Sequence, residues 1–168
     1  LAIRHPAVDL PDARYAYCNT NYCLLELIVQ RVTGHSLGVE LAQRIIEPLA
    51  LSATTYPDET DLTLPEPYIR GYERKGERWQ ECSEVYFGRG DGGMISTAAD
   101  QARFFRALLV EKRLLSQESL GLMMQLVQDD PPAEMAYGMG LMALPLPCGR
   151  VWGHSGGGYG YRHLPAIR

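Results

Sequence analysis

No stretch of this 168-residue sequence reaches the ~18 consecutive apolar residues needed to span a bilayer, which predicts a chain without a transmembrane segment. Blocks of like charge are also missing, and the formal net charge is -4. Both features argue against nucleic acid or an anionic membrane as the partner. Apolar residues make up 46% and charged residues 21% of the chain, a balance typical of globular proteins.

Metal-binding spacings are absent as well. None of the four cysteines falls in a Cys-x-x-Cys pair, and no histidine spacing completes a zinc pattern, so the sequence predicts no metal site. We expect the cysteines to be free thiols that pack as small apolar residues. The sequence leaves open whether Cys82 and Cys148 form a disulfide. The chain starts at Leu1 without a basic-then-apolar leader, so we expect it to be processed or cut from a longer chain.

Helical periodicity recurs along the first three quarters of the chain, apart from a loop over 1–16 and an irregular stretch with short strands over 52–87. Apolar residues at three- and four-residue steps predict an amphipathic helix near 22–32, ended by Gly34. Ser36, Thr97 and Ser116 are the expected caps of three further helices. The last of these should direct four apolar residues inward: Leu120, Met123, Met124 and Val127.

Strand-like segments follow the helices. Residues 137–144 predict a strand, 145–149 a turn, 150–152 a second strand, and a third begins near Tyr159. We therefore expect an α/β (α+β) chain, with a helical region over 17–130 joined to part of an antiparallel sheet over 137–168.

Two segments contain residues suited to chemistry. In extended chain, residues two apart point the same way, so Tyr17 and Asn19 should face one cleft. A phenol near cations loses its proton more easily and serves as general base or acid, and an amide can orient a substrate amide. A strand ending in His154-Ser155-Gly156 lets a ligand lie against main-chain amides. A helix-capping Asn19 and a surface His154 are the structural alternatives.

Taken together, the motifs resemble those of the serine β-lactamase and penicillin-binding protein superfamily, especially its class C-like β-lactamase and secreted D-alanyl-D-alanine carboxypeptidase branch. The resemblance covers nearly the whole chain. Its segments, in order, are YCNTNYCLLELIVQRVTGHSL (17–37), IIEPLALSATTY (45–56), GGMISTAADQARFFRALL (92–109), YGMGL (137–141) and CGRVWGHSGGGYGY (148–161).

The resemblance implies a β-lactamase/transpeptidase-like fold and acyl-enzyme chemistry without metal or organic cofactor. It implies catalytic roles for Tyr17, Asn19 and His154. It also implies that four residues bind substrate, with Gly158 or Tyr159 near the second oxyanion-hole amide: Ser155, Gly156, Gly158 and Tyr159.

The sequence departs from this family in one essential feature, because it contains no Ser-x-x-Lys. Tyr72 and Leu109 stand three residues before the two lysines, Lys75 and Lys112. Since the motif supplies the nucleophile and the lysine that activates it, we expect this chain alone to be inactive. Only sixteen residues precede Tyr17, so we expect the motif upstream and a domain incomplete at both ends.

For the parent protein, the resemblance implies a serine hydrolase of D-alanyl-D-alanine peptides, β-lactams or related amides and esters. Its partner would then be a small-molecule or peptide substrate, met outside the cytoplasm as a secreted, periplasmic or cell-envelope protein. A non-catalytic relative that binds peptides or another protein remains the alternative.

Three weaker patterns point elsewhere. The glycines of segment 88–93 match G-x-G-x-x-G, but a dinucleotide site needs a preceding parallel strand and a later acidic residue, for which Glu111 is the candidate. Arg89-Gly90-Asp91 matches an adhesive tripeptide. A metal hydrolase would have to use histidines without supporting spacing: His5, His35, His154 and His163.

Overall fold

A computed structural model describes residues 6, 10, 15–57, 61, 63–83, 88–127 and 136–168 of the chain. Helices precede the larger sheet, as predicted. The helices are α1 (Asn19–Thr33), α2 (Leu37–Leu41), continued by a π-helical turn (Ala42–Ile46), α3 (Ala98–Phe105), continued by another (Arg106–Val110), and α4 (Gln117–Met123). The strands are β1 (Tyr72–Lys75), β2 (Arg78–Glu81), β3 (Ala136–Tyr137), β4 (Met142–Leu146), β5 (Gly149–Gly153), β6 (Gly156–Gly158), β7 (Tyr161–His163) and β8 (Ala166–Ile167).

Local side-chain chemistry sets the helix ends. The hydroxyls of Ser36, Thr97 and Ser116 each accept a hydrogen bond from a main-chain N–H three residues later, at 3.3, 3.3 and 3.1 Å. Each bond satisfies one of the amides that a helix leaves unpaired at its start. Gly34 closes α1 in the left-handed conformation, with φ at 78°. All four predicted helix ends are confirmed.

The larger sheet has four antiparallel strands in the order β3-β4-β5-β8, while β1–β2 and β6–β7 form separate two-stranded pairs. Strands β5–β6 and β7–β8 form one bent ribbon. At the bend, the His154 N–H donates to the Pro165 carbonyl at 3.3 Å. The ribbon ends in a two-residue turn at Tyr159 and Gly160, whose φ values of 46° and 83° match a type I′ hairpin turn.

The core is formed by α3 with its π-helical turn, α4 and the β3–β4 hairpin. Together with Leu51, which follows α2, the buried apolar side chains are Phe105, Ala107, Leu108, Leu120, Tyr137, Leu141, Met142 and Ala143. Helix α1 differs because none of its residues is buried. Leu25, Ile28 and Val32 are 52%, 55% and 79% exposed, so the described residues leave this apolar stripe uncovered. Among those residues, no helix has both the length and the hydropathy that crossing a bilayer requires.

Several local expectations are wrong. Helix α4 ends at Met123, so Val127 is 48% exposed and its N–H bonds instead to the Tyr137 carbonyl. The predicted strand 137–144 is two strands, because the Gly138 N–H bonds to the Leu141 carbonyl at 2.8 Å and reverses the chain. Strand β5 ends at Gly153, which leaves His154 and Ser155 in the bend of the ribbon.

The cysteines also depart partly from expectation. All four are free, so the predicted free thiols are confirmed and Cys82 does not bridge Cys148. Their predicted burial is wrong for Cys18 and Cys148, which are exposed. Cys18 precedes the first residue of α1, and Cys148 lies in the β4–β5 turn, where neither side chain can reach the core.

Candidate active site

Four tyrosines and a histidine meet where the start of α1 approaches β3 and the bend of the ribbon. We call Tyr15, Tyr17, Tyr22, Tyr137 and His154 the tyrosine–histidine cluster. The ring centroids of Tyr17 and His154 lie 6.1 Å apart, and Tyr137 lies 5.8 Å from Tyr17 and 5.6 Å from His154. Tyr137 meets both rings edge-on, an arrangement that aromatic quadrupoles favour. The structure thus brings two of the predicted catalytic residues together.

Hydrogen bonds connect the cluster through its polar atoms. The hydroxyl of Tyr137 contacts the hydroxyl of Tyr22 and lies 2.8 Å from Nε2 of His154. Nδ1 of His154 lies 2.6 Å from the carbonyl oxygen of Ser155. Because a carbonyl only accepts, Nδ1 must hold the hydrogen, and Nε2 of the neutral ring accepts from Tyr137. Tyr22 then donates to Tyr137.

Two phenols of the cluster, those of Tyr17 and Tyr137, have pKa values above the ordinary value. Burial raises the pKa of Tyr17, and the nearby Tyr22 and Asp91 raise it further. Burial, followed by the hydrogen bond with Tyr22, holds the pKa of Tyr137 far above its ordinary value. The neighbours that raise the pKa of Tyr17 are neutral or anionic, so the condition for easier proton loss, a nearby cation, is not met among them.

Asn19 lies apart from the cluster's contacts. It is the first residue of α1, is exposed, and has no side-chain hydrogen bond within the described part of the chain. The prediction that Tyr17 and Asn19 point the same way assumed extended backbone, and Cys18 between them is extended, with φ at -149° and ψ at 120°. From Asn19 onward the backbone is helical, and the common direction of the two side chains stays a prediction.

The bend and the ribbon display the remaining predicted residues. Ser155 donates both its N–H and its hydroxyl hydrogen to the sulfur of Met142, at 3.3 and 3.4 Å. Gly156 pairs with His163, and a Cβ at Gly156 would lie 2.1 Å from the Nε2 of that histidine, so only glycine fits beneath the ring. Partial burial and the nearby His154 lower the pKa of His163.

The β6–β7 register decides which amides face outward. Gly158 pairs with Tyr161 across the two-residue turn, and a turn of this type closes on a hydrogen-bonded pair. The next pair, Gly157 with Arg162, is then not hydrogen-bonded, so the N–H of Gly157 points away from β7. Tyr159 lies in the turn, beyond the paired strands.

The glycine-rich loop over 88–93 lies against α1. The Gly90 N–H donates to Oε2 of Glu26 at 2.8 Å, and a Cβ at Gly90 would lie 2.5 Å from the Tyr22 carbonyl oxygen. Asp91 accepts from the Arg89 N–H at 2.9 Å and from the Cys23 thiol at 3.3 Å. Gly90 packs against α1 and Asp91 is hydrogen-bonded, so this tripeptide is not freely accessible as an adhesive loop would be.

The other weak patterns also fail in the described residues. Every strand pairing found there is antiparallel, whereas a dinucleotide fold needs parallel strands. Glu111 is bound by Arg106 and Arg113. No metal-binding group of histidine, cysteine, aspartate or glutamate occurs in the described ranges, and His5 lies outside them.

Sequence reasoning missed Tyr22 and Tyr137 as members of the site. From the sequence, Tyr22 is assigned to the apolar face of the first helix and Tyr137 to the start of a strand. Their hydroxyls meet across 115 residues of sequence, a separation that no local spacing encodes. The only available signal is the recurrence of tyrosine at 15, 17 and 22, just before and within the start of α1.

Comparison with known proteins now decides the family. The family model described as Beta-lactamase matches residues 2–167. The chain belongs to the beta-lactamase family. Among curated members, penicillin-binding protein 4 of Amycolatopsis lactamdurans is 32% identical over an alignment of 152 residues, gaps included, and the match covers 77% of this chain and 37% of that protein.

Solved structures agree with this assignment. A D-stereospecific amidohydrolase from Streptomyces sp. superposes with a TM-score of 0.90 at 36% identity, covering 99% of this chain and 50% of that one. The D-amino acid amidase from Ochrobactrum anthropi SV3, complexed with L-phenylalanine amide, gives 0.77 at 28% identity, covering 93% and 47%. The predicted family and fold are confirmed, and this beta-lactamase-family chain spans half the length or less of these relatives.

Proposed function

We propose that this chain forms part of the substrate site of a serine acyl-hydrolase that cleaves an amide bond beside a D-amino acid through an acyl-enzyme. The contact between Tyr17 and His154, 6.1 Å apart and linked through Tyr137, carries the proposal. D-alanyl-D-alanine peptides, β-lactams and related amides and esters are the substrate class. Relatives named as a D-stereospecific amidohydrolase and a D-amino acid amidase support this choice.

The residues divide the chemistry as follows. The lysine of the Ser-x-x-Lys motif accepts the proton of the attacking serine. Tyr17 keeps its proton at neutral pH, so it is the general acid that protonates the leaving amine. Asn19 orients the substrate amide, and His154 lines the cleft beside it. Ser155 turns its hydroxyl hydrogen from Met142 toward the substrate carboxylate. An amide near Gly158 and Tyr159 stabilises the oxyanion, and the outward N–H of Gly157 is the one best directed for this role.

The nucleophile is the missing component. Since no Ser-x-x-Lys occurs among the 168 residues, we propose that another part of the parent protein supplies it. The same absence favours the alternative, a non-catalytic peptide-binding relative. A substrate of cell-wall type would place the parent protein outside the cytoplasm.

The deciding experiment is hydrolysis of D- and L-phenylalanine amide and of a D-alanyl-D-alanine peptide by the complete gene product. We expect the D-amide to be cleaved faster than the L-amide. Tyr17→Phe should lower kcat by about 100- to 10,000-fold, the usual contribution of general acid–base catalysis. Tyr72→Phe, at a half-exposed tyrosine on β1, is the matched control and should leave kcat unchanged. Binding without turnover would establish the non-catalytic alternative instead.

Penicillin labelling tests the missing nucleophile separately. Intact-mass measurement of the 168-residue chain after exposure to benzylpenicillin should show no adduct, whereas the complete gene product should gain one penicillin. An adduct on the chain itself would show that it already contains a nucleophile.

A further inference from the structure

Tyr137 is the most buried member of the tyrosine–histidine cluster, at 8% exposure, and it contacts all the others. Its ring lies 5.1 Å from Tyr15 and 5.8 Å from Tyr17. Its hydroxyl bonds both Tyr22 and His154. One side chain thus connects helix α1 to the bend of the ribbon.

The backbone at Tyr137 is fixed from both sides. The Tyr137 carbonyl accepts from the Val127 N–H at 2.9 Å, and on the other side Tyr137 pairs with Met142 of β4. The next residue, Gly138, lies so close to α4 that an added Cβ would be 2.3 Å from the Met123 carbonyl oxygen. Such anchoring leaves the hydroxyl of Tyr137 little freedom to move away from His154.

The hydrogen bonds that link Tyr22, Tyr137 and His154 each have a defined donor and acceptor. With His154 neutral, hydrogens run from Tyr22 to Tyr137 and from Tyr137 to Nε2, because Nδ1–H is engaged by the Ser155 carbonyl. When His154 takes up a proton, both ring nitrogens donate. The Tyr137 oxygen then accepts from Nε2–H and its own hydrogen turns to Tyr22. The two hydroxyls reorient together, and no covalent bond other than the new N–H changes.

We propose that Tyr137 is a positioning residue, whose hydroxyl holds the His154 ring beside Tyr17 and is itself oriented by Tyr22. The inference rests on the proposed function, since that function gives His154 its place in the substrate site. Burial keeps the pKa of Tyr137 high, so its hydroxyl remains a donor throughout the working pH range. Tyr137 therefore acts on the substrate only through His154.

Nitrogen NMR of the complete gene product with isotope-labelled histidine tests the positioning directly, with His154→Gln to assign the signals. In the unmodified protein, Nε2 of neutral His154 should show the shift of an unprotonated nitrogen that accepts a hydrogen bond. Tyr137→Phe should remove that hydrogen-bond shift, and Tyr22→Phe should reduce it. Tyr161→Phe is the matched control, because it removes a hydroxyl that donates to the Ile69 carbonyl at 2.7 Å, outside the cluster. Unchanged His154 signals in Tyr137→Phe would overturn the proposal.

Kinetics separate this proposal from the proposed function. Tyr137→Phe should lower kcat/KM by about 10- to 100-fold, as loss of orientation does. Adding it to His154→Gln should cause no further loss, because the two residues act as one unit. A further loss of similar size in the double variant would contradict action through His154. If the gene product hydrolyses nothing while the NMR signals change as expected, the proposed function fails and the positioning stands.

Discussion

The carboxylate of Asp100 accepts a hydrogen bond from the hydroxyl of Thr54 at 2.9 Å and ties the chain after α2 to the start of α3. The same carboxylate accepts from the Ala53 N–H at 2.9 Å and pairs with Arg103 at 2.9 Å. Only 2% of Asp100 is exposed. Asp100 therefore joins the chain after α2 to the start of α3 at a buried position. It also places a favourable negative charge in the first turn of α3.

Asp100→Asn should destabilise the protein by about 1 to 3 kcal/mol. The amide cannot accept from all the donors that meet the carboxylate, and a buried donor without a partner costs its desolvation free energy. Urea unfolding measures the change. Asp61→Asn is the control, because Asp61 is exposed and, among the described residues, accepts from the nearby Thr63 N–H at 2.9 Å. Equal effects of the two substitutions would contradict the junction.

Stability should depend on pH through Glu40. Hydrogen bonds from His35, at 2.8 Å, and from Arg44 hold the pKa of Glu40 below its ordinary value. The pKa of Glu40 in the folded protein lies below its unfolded value of about 4.3. The stabilisation that Glu40 contributes is therefore complete above about pH 4.3, and it is lost as the pH falls through the folded pKa. The urea midpoint of the wild type should therefore exceed that of Glu40→Gln at pH 7, and the gap should close on acidification. A gap that is constant with pH would contradict this linkage.

Two glycine substitutions should have opposite signs. A Cβ at Gly153 would lie 1.9 Å from the Pro165 carbonyl oxygen, in the β5–β8 pair. Gly153→Ala should therefore destabilise the protein by about 1 to 3 kcal/mol through overpacking. Gly121 lies within α4 with nothing near its Cβ position, so Gly121→Ala should stabilise by about 0.5 to 1 kcal/mol. Thermal unfolding compares the two, and a stable Gly153→Ala would contradict the close approach.

Thiol reactivity should distinguish Cys18 from Cys23. A hydrogen bond with Thr20 lowers the pKa of the exposed Cys18, whereas burial and the contact with Asp91 raise the pKa of Cys23. Since the thiolate is the nucleophile, Cys18 should react first with a disulfide reagent near neutral pH. The fast phase should shrink in Cys18→Ser, and Cys148→Ser identifies the share of the other exposed thiol. Modification of Cys23 at the rate of Cys18 would contradict the assignment.

Local features of the fold were readable from the sequence, and long-range ones were not. The caps at Ser36, Thr97 and Ser116 depend on hydrogen bonds between residues three apart in sequence, so a single helical turn of sequence is enough to predict them. The order of five motifs was enough to predict the family. The split of 137–144 into two strands depends on Gly138 lying against α4, which periodicity does not reveal.

The candidate site shows the same division. The segments holding Tyr17 and His154 were identified, and the structure brings these two residues together, while their chemical roles stay predictions. Tyr137 could not be found because its importance comes from a contact 115 residues away with Tyr22. The common direction of Tyr17 and Asn19 stays a prediction, since α1 starts at Asn19 and Cys18 between the two residues is extended.

Ser155 has an unusual hydrogen-bond acceptor, because both of its donors are directed at the sulfur of Met142. Thioethers are weak acceptors, so the two hydrogens that Ser155 directs at Met142 are held loosely. Any oxygen anion that arrives at the bend offers them a stronger partner, and little free energy is needed to release them from sulfur. Oxidation of Met142 would make that release costlier, because a sulfoxide oxygen is a stronger acceptor than a thioether sulfur.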